Sequence, residues 1–491
     1  MLIGIDIGTS SCKAALFTPD GKVISQASAD YAVSYPKAGW AEQDPEDWWA
    51  SICAALKSVT AEEKHKIEGI GIAGQSWSAI AIDRNGKCLC PTPIWMDTRA
   101  ADICAEFNER IGADKIFEIC GNPLQAAYTL PKILWYQRNL PEVYAKADKI
   151  LQSNAYIAYK LTGEVSQDIC QAYGLQVFNM RSGKWDDALI SEMGIRRDLL
   201  CEPVSCSQIV GYVTKEAAEM CGLSEGIPVV AGGLDAACGA LGVGVLREGE
   251  TQEQGGQAGG MSICAEKYLA DPRLILSYHV VPDRWLIQGG SVGGGGVLRW
   301  MKDEIWPNLS YQELGEQASV APAGSDGLVF LPYMAGERSP IWDVKAKGVY
   351  YGLDYGKTSA HIIRAGLEGA AFALRHNLEV AEKAGAKAER LRAMGGAANS
   401  LLWTQIKSDV CGKIIDVPSS DTATTLGAAM LAGVASGVYA DFLEAVNKTV
   451  KIERSHKPNT ELKSIYDRNY ETYREIYENL KTLMQKGAGA I

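Results

Sequence analysis

The sequence predicts an α/β protein of more than one domain, and three observations lead there. At 491 residues the chain exceeds what one hydrophobic core supports, and its length suggests roughly two to four domains. Strand and helix patterns alternate before and after a polar bridge at Arg247-Glu248-Gly249-Glu250, which places a boundary near residue 246 and divides the chain into 1–246 and 247–491. Four small-residue turns, each following a strand and each holding a polar side chain, are shared between those two parts.

The first element is Leu2-Ile3-Gly4-Ile5-Asp6-Ile7, an apolar strand interrupted by a carboxylate and followed by Gly8-Thr9-Ser10. A carboxylate in such a run needs a partner, and a divalent cation bound to phosphate would supply one. The turn leaves backbone N–H groups and hydroxyls free to face an anion, and Lys13 adds a positive charge beside it. Pro19-Asp20-Gly21 then marks a hairpin turn. Asp44 and Pro45 open a helix whose acidic first turn suits the dipole. Ile67 to Ala73 reads as a strand, with Ser78 to Asp83 as its return after the bend Gly74-Gln75-Ser76-Trp77. Mostly helical sequence follows from Thr98 to Tyr173.

Val229-Val230-Ala231 is a strand that runs into Gly232-Gly233-Leu234-Asp235, where Asp235 stands between a strand end and a helix start. Gln254-Gly255-Gly256-Gln257-Ala258-Gly259-Gly260 and Met394-Gly395-Gly396-Ala397-Ala398-Asn399-Ser400 are the third and fourth turns, the last opening a helix. In the tail, Leu462, Tyr466, Tyr470, Tyr473, Tyr477 and Leu480 share one helical face and read as core packing.

Composition excludes several classes. With 47% apolar and 22% charged residues the chain has an ordinary globular balance. A formal net charge of -11 argues against a broad nucleic-acid or anionic-membrane surface, so an anionic substrate must be met by local donors and a metal. Thirteen cysteines without a Cys-x-x-Cys pair read as scattered reduced thiols. The second residue already belongs to a strand, and the longest apolar stretch, Ile227 to Leu246, is broken by glycines and Asp235, so the expectation is a cytoplasmic protein without a membrane span.

Two motifs are decoys. Gly69-Ile70-Gly71-Ile72-Ala73-Gly74 has the dinucleotide spacing, but it lies within a strand with no helix behind it. Gly356-Lys357-Thr358 ends like a phosphate-binding P-loop, yet Tyr351 occupies the position of the required first glycine.

Taken together, the segments Gly4 to Ser10, Trp40 to Pro45, Ile94 to Arg99, Pro131 to Trp135, Gly232 to Asp235, Phe330 to Arg338 and Lys347 to Leu353 resemble the FGGY carbohydrate kinases of the actin and sugar-kinase superfamily. The likeness spans nearly the whole chain and is nearest to the members acting on xylulose. It implies an actin-like ATPase (ribonuclease H-like) α/β fold with two domains, each on a mixed five-stranded sheet, and an active site in the interdomain cleft. ATP and Mg²⁺ lie in that cleft, with the sugar mostly against the N-terminal domain. By position Asp235 resembles the family's catalytic base and Asp6 its metal- and phosphate-facing carboxylate, both near the metal. Gly8, Thr9, Ser10 and Lys13 take the first phosphate turn, Gly256 and Gln257 the second. Gly395, Gly396, Ala397 and Asn399 fall at the adenosine site; Gln75, Ser76, Trp77, Asp97, Asp235 and Ala236 fall where the sugar is held.

The resemblance implies transfer of phosphate to a primary hydroxyl of a ketopentose, first of all D-xylulose to xylulose 5-phosphate, by a cytoplasmic homodimer. Three departures stand against the family pattern. Ser76-Trp77-Ser78 replaces Met-His-Gly, Ala236 replaces an asparagine, and Gly256-Gln257-Ala258 replaces Gly-Thr-Ser or Gly-Thr-Gly. The first two remove groups that would face sugar hydroxyls, which keeps ribulose, a tetritol, a hexulose and a sugar acid open as substrates. The third keeps open a nucleotide- or sugar-binding relative without catalysis.

Overall fold

The computed structural model describes residues 1–61, 66–420 and 422–487. Two large sheets organise it. The first runs Ile209–Tyr212, Pro228–Val230, Gly69–Gly74, Leu2–Ile7, Ser11–Phe17 and Val23–Asp30, with Gly233–Leu234 also paired to Gly69–Gly74. The second runs Ile275–Tyr278, Trp285–Ser291, Gly259–Ala265, Glu250–Gly255, Arg390–Met394, Ile414–Pro418 and Ile452–His456. Both are mixed and seven-stranded, so the five-strand expectation is corrected by short strands added to a common core.

That core has the same wiring twice. Leu2–Ile7 pairs antiparallel with Ser11–Phe17 and parallel with Gly69–Gly74. Glu250–Gly255 pairs antiparallel with Gly259–Ala265 and parallel with Arg390–Met394. The turns at Gly8 to Ser10 and at Gly256 to Ala258 are therefore topological counterparts, one per half.

The expected return strand is not where the spacing put it. Both flanks of Gly69–Gly74 are taken by Leu2–Ile7 on one side and by Val229 and Gly233–Leu234 on the other. Ile80–Ile82 consequently pairs with Lys149–Leu151 in a separate ribbon. The bend between them leaves the sheet at Trp77, whose φ of +62° is a left-handed conformation rare for a bulky residue.

The helix expectations hold at several points. Pro45–Thr60 begins with Asp44 accepting from the Glu46 N–H at 3.0 Å, and it packs on the Ser11–Phe17 and Val23–Asp30 strands. The tail helix Lys463–Gly487 buries Tyr466, Tyr470, Tyr473 and Tyr477 against Phe372 and Tyr333. Gly356-Lys357-Thr358 lies immediately before the helix Ser359–Lys383, at its N-terminal cap.

Ala423–Ala435, a helix from the second half of the chain, packs across the first sheet. Glycines make the approach possible. A Cβ at Gly4 would lie 1.8 Å from the Thr425 carbonyl oxygen, and one at Gly71 would lie 1.8 Å from that of Ala428. The same helix crosses Asp235–Gly242, where a Cβ at Gly427 would fall 1.9 Å from the Cys238 carbonyl oxygen and one at Gly242 would fall 1.8 Å from that of Ala423. Only glycine permits backbone-to-backbone contact this close. The two sheets are thus joined through a pair of helices in contact at their backbones. Among the described residues no helix is long and apolar enough to cross a membrane.

Candidate active site

Asp6 and Asp235 come from adjacent strand ends. Asp6 pairs in register with Ala73, Gly233 pairs with the same Ala73, and Asp235 opens the helix two residues later. Both carboxylates are half-buried in the protein. Burial raises Asp235 to about 6, against which its acceptance of the Ala236 N–H at 2.6 Å works in the opposite direction. Burial, and then the charge of Asp235, raises Asp6 to about 7, while Lys13 across the hairpin pulls the other way. Asp6 Oδ1 is buried without a hydrogen-bond partner. An orphaned buried carboxylate oxygen beside a second carboxylate is a donor set that suits a hard divalent cation, so these residues fit Mg²⁺.

Two cavities meet at Gln257. The smaller, about 330 Å³, is lined from the first half by Thr9, Ser76, Trp77, Trp95, Tyr173, Asp235 and Ala236, and from the second by Gln254, Gln257 to Ser262, Gln288 to Gly290 and Arg338. The larger, about 910 Å³, is lined by Gly256, Gln257, Leu298, Arg299, Tyr311, Gly396, Ala397, Asn399 and Leu402 among others, and its wall is mainly apolar. Gln257 therefore lines both a space of sugar dimensions that contains Asp235 and a space of nucleoside dimensions.

Of the residues singled out in the sequence, Thr9, Ser76, Trp77, Asp235, Ala236 and Gln257 line the smaller cavity, and Gly256, Gln257, Gly396, Ala397 and Asn399 the larger. Gly395, at φ +83°, backs onto the Gly255 carbonyl oxygen and braces the second phosphate turn. Gly8 closes the first turn by donating to the Ser11 carbonyl at 3.0 Å, with Ser10 exposed at its tip and Lys13 exposed on the following strand.

Gln75 and Asp97 are not in the cavity wall. Gln75 is buried behind it, donating to Gln43 Oε1 at 3.0 Å, and Gln43 in turn donates to the Thr9 carbonyl at 2.8 Å. Gln75 thereby ties the bend to the first phosphate turn. Asp97 is fully buried and saturated: it accepts from the Ala41 N–H at 2.8 Å and from the Arg99 guanidinium at 2.8 to 2.9 Å, while Arg99 also reaches Glu42 and stacks on Trp40 at 3.8 Å. It fastens the segment beneath the site.

Trp77 is 6% exposed and shares an aromatic cluster with Tyr128 at 4.3 Å and Tyr173 at 6.0 Å, and its indole N–H has no partner. Its strained backbone is held by Lys132, whose ammonium donates to the Trp77 and Ala127 carbonyls at 2.8 and 2.7 Å. Burial lowers that ammonium to about 7.

Sequence reasoning gave no role to Lys132, Trp95 or Arg338. All three stand within segments named above, but nothing local distinguishes a lysine that supports a carbonyl or an arginine that reaches a cleft from a surface cation, or a tryptophan that holds a turn from one that packs. Trp95 donates to Thr9 Oγ1 at 2.9 Å, a contact between residues 86 apart in sequence.

A duplicated hairpin-and-parallel sheet with a glycine-containing turn on each copy and a cavity lined from both is the architecture of the actin-like ATPase fold. The comparisons with known proteins specify it further. Residues 1–242 match the N-terminal domain and residues 262–436 the C-terminal domain of the FGGY family of carbohydrate kinases, and the chain belongs to that family. It is 32% identical to xylulose kinase of Escherichia coli over 99% of this chain and all of that one. It is 31% identical to gluconokinase of Bacillus subtilis over 99% of this chain and 96% of the other. The crystal structure of xylulose kinase from Rhodospirillum rubrum superposes with a TM-score of 0.91 at 30% identity, covering 99% of both chains. The protein is an ATP-dependent carbohydrate kinase acting on a small-molecule sugar.

Proposed function

We propose that the chain transfers the γ-phosphoryl group of ATP to a primary hydroxyl of a ketopentose bound between Trp77 and Asp235, with D-xylulose the first candidate and xylulose 5-phosphate the product. One observation carries the reading: a half-buried carboxylate with a raised pKa, Asp235, stands in an acceptor-sized cavity that is also lined by Gln257. The similarity to xylulose kinases supports D-xylulose as that sugar.

In this reading residues 1–246 hold the sugar and residues 247–491 the nucleotide. The adenosine lies in the larger cavity near Gly396, Ala397 and Asn399. Its phosphates face the backbone N–H groups of both turns, whose dipoles stabilise charge on the group in transit. Asp235 accepts the proton of the attacking hydroxyl as the new P–O bond forms and the bond to the β-phosphate oxygen breaks, releasing ADP. Asp6 and Asp235 would hold Mg²⁺, which supplies further neutralisation of the phosphates. Closing the cleft excludes water as a competing acceptor.

A second reading, a sugar acid as acceptor, is favoured by the gluconokinase similarity and by the loss of polar groups at Trp77 and Ala236. Sugar-dependent ADP release, measured with and without Mg²⁺ against D-xylulose, D-ribulose, erythritol, D-fructose and D-gluconate, tests both. Highest kcat/KM on D-xylulose is expected, and a preference of more than tenfold for D-gluconate replaces the first reading with the second. The cytoplasmic homodimer expected from the family is part of the same proposal; light scattering on the purified protein should give twice the chain mass.

A further inference from the structure

Among the described residues, Arg338 is the only cation in the wall of the acceptor cavity, as Asp235 is its only anion. It comes from the second half of the chain and lines the same cavity as Asp235. Among the described residues its guanidinium makes neither a hydrogen bond nor a salt bridge with any side chain or carbonyl. The neighbouring carboxylate, Glu337, is committed elsewhere: it accepts from Ser291 Oγ, the Val292 N–H and the backbone N–H of Arg338 itself, each at 2.7 Å. The nearest face to the guanidinium is the ring of Trp95 at 5.7 Å, and Trp95 is the residue that holds Thr9 of the first phosphate turn. A Cβ at Gly290 would come within 3.1 Å of the guanidinium carbon, so the strand leaves room for it to stand in the cavity.

The guanidinium is half-buried and its five donors face the open cavity with no acceptor of the described residues, which leaves them free for an incoming anion. The rest of the cavity already accounts for a neutral sugar: Asp235 for its reactive hydroxyl, Trp77 and Tyr173 for its apolar face. We propose that Arg338 receives an oxyanion in the acceptor cavity, presented either by the phosphoryl group in transit or by a carboxylate on the acceptor. The inference rests on the kinase reading above. A planar guanidinium can meet two oxygens of either group at once.

The experiment compares Arg338→Met and Arg338→Lys with the parent enzyme. Without ligand, Arg338→Met should melt at the parent temperature or above it, because the side chain supports nothing in the empty protein. With D-xylulose and with D-gluconate, kcat and both Michaelis constants are measured. If the anion is the transferred phosphoryl group, kcat falls by about 10²–10³-fold on every sugar the parent uses, with the Michaelis constant for ATP little changed, and Arg338→Lys recovers part of it. If the anion is a carboxylate, the loss is confined to D-gluconate and appears in its Michaelis constant. Unchanged kinetics on both, or a clear fall in melting temperature without ligand, overturns the proposal and makes Arg338 a structural residue. A parent that releases ADP with no sugar defeats the kinase reading instead. In that event inorganic phosphate decides the inference: it must raise the melting temperature of the parent and not of Arg338→Met.

Discussion

Replacing Asp235 by asparagine separates what the carboxylate does for chemistry from what it does to stability. The folded protein buries this group and raises it from 3.8 to about 6. Below about pH 4 the carboxyl is protonated in both folded and unfolded chains and imposes no penalty. As pH rises, the unfolded chain releases its proton first, so stability falls until the folded group ionises near pH 6 and is level above it. Two units at about 1.36 kcal/mol each make the penalty about 3 kcal/mol above neutrality. Asparagine has nearly the same shape and no charge, and it also removes one of the causes that raise Asp6. In nucleotide-free protein with chelator present, Asp235→Asn should therefore be more stable than the parent at pH 8 by up to about 3 kcal/mol. That is roughly 6 °C at about 2 °C per kcal/mol for domains of this size, shrinking to nothing near pH 4. Turnover should fall by about two to four decades, because the proton acceptor is gone. Thermal melts at both pH values and a coupled ADP-release assay are sufficient. A variant less stable than the parent at pH 8, or one with turnover within tenfold of it, refutes the reasoning.

Trp77→His keeps a ring that tolerates left-handed backbone better than tryptophan and restores a donor-acceptor to the cavity; kcat/KM for D-xylulose should change several-fold while the Michaelis constant for ATP stays within about twofold, and equal effects on both would return Trp77 to a packing role. Gly427→Ala must push apart two helix backbones in contact, so denaturant unfolding should show a loss of about 2 kcal/mol or more. Gly315→Ala, which meets nothing within 4 Å, should instead gain about 0.5–1 kcal/mol as a helix-interior replacement. Saturating ATP analogue plus sugar should reduce the radius of gyration by small-angle scattering through closure of the cleft, and an unchanged value would argue that the halves are rigidly set.

The two hairpin turns were legible because their signals are local: Asp6 inside an apolar strand and glycines after strand ends stand out within a dozen residues. Asp235 was legible for the same reason, as the lone carboxylate of a glycine turn. Strand partners were not. Ser78 to Asp83 follows Gly69–Gly74 closely enough to suggest a hairpin, yet the neighbouring positions are filled by strands more than sixty residues before and about 155 after it, and hydrogen-bond sites already used cannot be used again. The placement of Gln75 and Asp97 behind the wall, of Lys132 under Trp77, and of Arg338 in the same cavity as Asp235 also depends on which distant groups satisfy or fail to satisfy each polar atom. Sequence by itself determined the class of chemistry, since backbone turns and isolated carboxylates act at short range. Tertiary structure alone decided which side chains face the acceptor, because burial and hydrogen-bond partnership are set by residues brought together from both halves of the chain.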